Sequence, residues 1–170
     1  MEQIVVGMAD CRVGDSCGQE LVTFALGSCI ALAVYDPVAQ VGGLVHFMLP
    51  DSALDPQRSR ANPAMFADTA IPELLDQIAK LGGLKRRLVA HAAGGASMLG
   101  EDRTFEIGRR NYEALRRELA NAGVALHREA VGGAVSRNLR LEIGTGRICL
   151  WESGRRKNAA QRKNSSPDRR

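Results

Sequence analysis

Aromatic side chains make up only 4% of this 170-residue chain, with one Trp, two Tyr and four Phe. So sparse a set argues against the stacking platforms that bind single-stranded nucleic acid, and no nucleic-acid partner is expected. No apolar run approaches the ~18 residues that a membrane span requires. The start, Met1-Glu-Gln-Ile-Val-Val-Gly-Met, lacks the basic n-region of a signal peptide. A cytoplasmic protein with reduced thiols is therefore expected. Its four cysteines, Cys11, Cys17, Cys29 and Cys149, form no C-x-x-C pair, and the three histidines are scattered. That spacing argues against a zinc site.

Charge is short of balance in one place only. The formal net charge is +4, but residues 154–170 carry seven Lys/Arg and one Asp, giving +6 there and −2 on residues 1–153. A folded domain over 1–153 followed by a basic, disordered tail is the expected division. Apolar residues amount to 45%, enough for a packed core.

Alternating or continuous apolar runs predict strands over Gln3–Val13, Leu21–Tyr35 (broken at Gly27-Ser28), Val41–Leu49, Leu88–Ala93 and Val124–Val131. A hairpin is expected where Leu139, Leu141 and Ile143 run into Gly144-Thr145-Gly146 and then Arg147–Trp151. Asp51–Arg60 reads as a loop. Asn62-Pro63 reads as a helix start, with Ile71, Leu74, Leu75, Ile78 and Leu81 as the buried stripe and Pro72 as a kink or a restart. A second helix is expected over Arg109–Ala122. Strands, two separated helices and hairpins give an α+β fold.

Chemistry is concentrated in Thr23-Phe-Ala-Leu-Gly-Ser-Cys29 and Gly42-Gly-Leu-Val-His46. A cysteine hydrolase needs a thiol, a base and a group that orients the base. A hairpin closed by Tyr35 opposite Gln40 sets Cys29 directly across from His46, on the same face. Gly27 and Ser28 allow a sharp turn whose backbone N–H groups would hold an oxyanion. Thr23 is the nearest upstream polar residue for the second imidazole nitrogen, through either its hydroxyl or its carbonyl. Cys29 is then expected to be the most readily alkylated thiol. The competing reading makes Cys29 a small buried apolar residue and His46 a hydrogen-bonded core residue.

The chain resembles the CheD family of chemoreceptor glutamine deamidases. The resemblance rests on Val6-Gly-Met-Ala-Asp10, Leu26-Gly-Ser-Cys29, Gly42-Gly43 with His46, Met48-Leu-Pro50, Asn62-Pro-Ala64, Asp68, Gly94-Gly-Ala96, Ile107-Gly108 with Asn111, and Gly132-Gly133 with Arg137. It departs from the family's usual residues at Met65, His91, Ala130 and Ser136. The resemblance implies a four-layer α/β/β/α sandwich and a Cys29, His46, Thr23 triad. It implies conversion of glutamines on methyl-accepting chemotaxis receptors to glutamate, and the CheC phosphatase as a partner; acid–base and covalent catalysis by these residues requires no cofactor or metal. The rival reading keeps the fold as a non-catalytic adaptor that binds chemoreceptors or CheC. The basic tail reads as a solubilising disordered end, the alternative being a segment drawn to an anionic membrane surface.

Overall fold

Two segments are buried at every residue: β4 (Ile30–Asp36) and β5 (Val41–Phe47). Both faces of these strands must therefore be covered, and each face has its own set of residues. Ile30, Leu32, Val34, Val41, Val45 and Phe47 point into a core shared with two helices, α2 (Ala67–Lys80) and α3 (Arg103–Ala122). Ala31, Ala33, Tyr35 and Leu44 point the other way, against Leu21, Leu139 and Leu141 of a second sheet and Ile143 just beyond it. Small residues on that side let the sheets approach closely. A Cβ on Gly42 would meet Leu141 and the Val34 carbonyl, so no larger residue fits there without movement.

The computed structural model describes residues 1–97 and 103–153. The other strands are β1 (Glu2–Val5), β2 (Asp10–Gly14), β3 (Gln19–Leu26), β6 (Val89–Gly94), β7 (Leu126–Val131), β8 (Arg137–Glu142) and β9 (Arg147–Glu152). One sheet runs β1-β3-β8-β9 and the other β2-β5-β4-β6-β7. The mixed α and β class and the sandwich of two sheets agree with expectation. Among the described residues the helices gather on the outer face of the five-stranded sheet. The proposed tail, residues 154–170, lies outside the described residues.

Several boundaries differ from the sequence reading. The expected first strand is two strands, because a turn at Met8-Ala9, with Ala9 at φ +53, sends β1 and β2 into different sheets. Asp51–Arg60 is not a plain loop. Asp55 caps a short helix, α1 (Pro56–Ala61), by accepting from the Arg58 N–H. Asn62 caps only a single turn over Pro63–Met65, and α2 begins after it. Pro72 lies inside α2, which continues through it. α3 begins at Arg103, six residues before the expected start.

Candidate functional site

Thr23 is 1% exposed and His46 is 3% exposed, one on each sheet. Thr23 Oγ1 lies 2.9 Å from His46 Nδ1, so the hydroxyl, of the two groups considered, is the one that meets the imidazole. A bulge in β3 helps to set this meeting. Thr23 pairs with Leu139, but the next pair is Leu26 with Arg137, so β3 carries one extra residue. Ala25 takes up the excess at φ +56, and its N–H donates to Asn138 Oδ1 at 2.9 Å. On the same stretch Phe24 packs edge-on against Trp151, with ring centroids 6.4 Å apart.

The hairpin register differs from the expected one by two residues. Asp36 pairs with Val41, so His46 faces Ala31 rather than Cys29. The cause is the Asp36 side chain. It accepts from the Val38 and Ala39 N–H groups, which closes the turn one position later than a turn starting at Asp36 would. A shift of two preserves the face. Cys29 precedes β4 and packs at the edge of the same inter-sheet cluster that His46 faces. His46 Nε2 is buried with no hydrogen-bond partner. The structure thus brings Thr23 and His46 into direct contact, with Cys29 on their side of the sheet and not hydrogen-bonded to the ring.

Three successive carbonyls fix the Cys29 segment. Gly27 O accepts from Ala96 N at 2.8 Å, and Cys29 O accepts from Gly95 N at 2.8 Å. Between them Ser28 O accepts from Asn111 Nδ2 at 3.0 Å. Gly94, at φ +118, lies so close to the Cys29 carbonyl that a Cβ there would collide with it. Asn111 is fully buried and also donates to Met48 O at 2.9 Å. The sequence marks Asn111 only by resemblance, because its partners are 83 and 63 positions away.

Burial governs the protonation states. It pushes the Cys29 thiol up, with partial relief from the residue's own backbone N–H. It pushes His46 down to about 4. Cys11 is driven to about 12 by burial, then by Glu73 and Asp10, which marks it as an inert core thiol. Cys17 is exposed whereas Cys29 is half-buried, so the expectation that Cys29 labels fastest loses its basis in the resting protein. Among the described residues no cluster of three or more His, Cys, Asp or Glu is placed to hold a metal. Nor is any described helix long and apolar enough to cross a membrane.

Comparison with known proteins matches the sequence to one family. The family model described as CheD chemotactic sensory transduction matches residues 48–151. A protein of Solibacter usitatus, named "Probable chemoreceptor glutamine deamidase CheD", is 59% identical over 157 residues, covering 92% of this chain and 93% of that one. Relatives from Syntrophus aciditrophicus and Anaeromyxobacter dehalogenans carry the same enzyme name. They are 44% and 45% identical, over 91% and 88% of this chain and 96% and 94% of theirs. Identity at this level along nearly the whole length of each protein leaves one conclusion: the chain belongs to the CheD family.

Proposed function

We propose that this protein hydrolyses the side-chain amide of glutamines on methyl-accepting chemotaxis receptors, with Cys29 as nucleophile, His46 as base and Thr23 as the group that orients the base. The observation that carries the residue roles is the buried Thr23–His46 contact, which leaves Nε2 as the one ring nitrogen without a partner. The substrate comes from the names of the relatives.

With Nδ1–H donating to the Thr23 hydroxyl, Nε2 keeps its lone pair. Neutral His46 then takes the Cys29 thiol proton as sulfur attacks the amide carbon. Backbone N–H groups of the Gly27-Ser28-Cys29 turn hold the negative oxygen. The tetrahedral species collapses with loss of ammonia, whose nitrogen receives the proton from His46. Water then attacks the thioester and gives a proton to His46, the carbon–sulfur bond breaks, and the sulfur recovers its proton. Glutamate and ammonia are the products. Acid–base and covalent steps suffice, so no cofactor or metal has a part.

The same proposal places the protein in the cytoplasm, with the CheC phosphatase as a regulatory partner. Residues 154–170, with seven Lys/Arg, supply attraction to anionic membrane near the receptors. Mass spectrometry of receptor cytoplasmic fragments tests the central reaction. Wild-type protein should convert specific glutamines to glutamate, and Cys29→Ala should convert none. Receptor binding without conversion by the wild type would establish the adaptor instead.

A further inference from the structure

Asn111 reaches the site from α3, an element that carries none of the proposed triad. The helix can come this close because residue 108 is glycine: a Cβ there would stand 2.6 Å from the Gly95 carbonyl oxygen. One amide nitrogen then serves two carbonyls, Ser28 O at 3.0 Å and Met48 O at 2.9 Å. Those carbonyls belong to the residue before Cys29 and the second residue after His46. Asn111 Oδ1 is buried without a partner, so the two donated bonds alone set the orientation of the amide. Among small side chains only asparagine offers two N–H donors from one atom at this length.

A trans peptide is planar, with the carbonyl and the following N–H directed oppositely. Drawing Ser28 O toward α3 therefore turns the Cys29 N–H away from α3. Cys29 packs against the inter-sheet cluster, on the face of the sheet opposite the core that holds α3, so this N–H is turned toward the sulfur's side. The Gly27 carbonyl, held by Ala96 N at 2.8 Å, fixes the Ser28 N–H in the same way.

We infer that Asn111 is a positioning residue that preforms the oxyanion site, holding the Ser28–Cys29 peptide so that the Cys29 N–H meets the oxygen that becomes negative. Its second bond keeps the end of the His46 strand in the same frame. The inference rests on the amide-hydrolase reading proposed above.

Two reactions of Cys29 separate this role from general support of the fold. Deamidation builds negative charge on oxygen; alkylation by iodoacetamide, a displacement at carbon, builds none. In full-length Asn111→Ala, turnover of receptor glutamines should fall about 100-fold, the scale of a lost oxyanion donor, with KM changed little. Alkylation of Cys29, followed on its own peptide by mass spectrometry, should stay within a few-fold of wild type, its pH profile moved slightly upward because the Cys29 N–H also favours the thiolate. Asn111→Asp keeps the shape but presents acceptors to both carbonyls, and it should show the same split if the alanine variant does not fold. Parallel loss of both reactions, or turnover equal to wild type, overturns the inference. No glutamate from wild-type protein would instead remove the amide-hydrolase reading on which it rests.

Discussion

At rest near pH 7 the Cys29 thiol and the His46 imidazole are both neutral, since burial raises the first and lowers the second. A preformed thiolate–imidazolium pair is thus not the resting state, and in the proposed mechanism the proton moves as the sulfur attacks. The depressed histidine also links stability to pH. An unfolded histidine protonates near ~6.5, whereas His46 does so at about 4. Between those values the unfolded chain binds more protons, so stability falls as pH drops through that window and is whole above it. A shift of this size corresponds to about 3 kcal/mol. Urea unfolding of wild type and His46→Gln at several pH values checks this. The advantage of wild type over the variant should shrink by about 2–3 kcal/mol between pH 7 and pH 4. Parallel curves would mean that His46 is not held neutral by burial.

At the scale of elements, the bulge in β3 is the device that aims Thr23. Its left-handed Ala25 is held by Asn138, a residue on the neighbouring strand with 6% exposure. Asn138→Ala leaves the Ala25 N–H without its acceptor, which should cost about 1–3 kcal/mol. Turnover should drop several-fold as the Thr23 hydroxyl shifts from Nδ1. Lower stability with unchanged turnover would show that the bulge does not set the site. Much of this scale was legible in the sequence. Continuous apolar runs marked β4 and β5, and Gly27-Ser28 marked the break before Cys29. The register was misread because the Asp36 side chain closes the turn, an interaction that alternation of apolar residues does not encode. α1 was missed because it is polar and only six residues long, so it has no apolar stripe, and Asp55 before Pro56 was its one signal. The early turns of α3 hold Gly108 and no complete apolar face, which hid its start. Thr23 and His46 were found because each lies on a recognisable strand. The part played by Asn111 was not found, because its partners become neighbours only after the helix packs on the sheet.

Over the whole molecule, the site lies where the two sheets meet, bridged by Thr23 and His46, and α3 fixes its edge. The proposed chemistry uses residues 1–153 alone, and the role proposed for the basic segment is location. Truncation after Gly154 should leave turnover on soluble receptor fragments unchanged. On receptors in anionic vesicles, truncation should lower activity, and high salt should bring the full-length protein down to the same level, since screening removes such attraction. Vesicle activity indifferent to both would end the membrane role, and loss of activity on soluble fragments would place the tail within the catalytic unit. The claim on which these depend is a covalent thioester on Cys29. Turnover in the presence of hydroxylamine tests it most directly, because a thioester partitions between water and the added amine. We predict that receptor glutamines become a mixture of glutamate and the corresponding hydroxamate, resolved by mass spectrometry, with the hydroxamate share rising with hydroxylamine and both products absent with Cys29→Ala. Glutamate as the sole product at every hydroxylamine concentration, or hydroxamate still formed by Cys29→Ala, would contradict it.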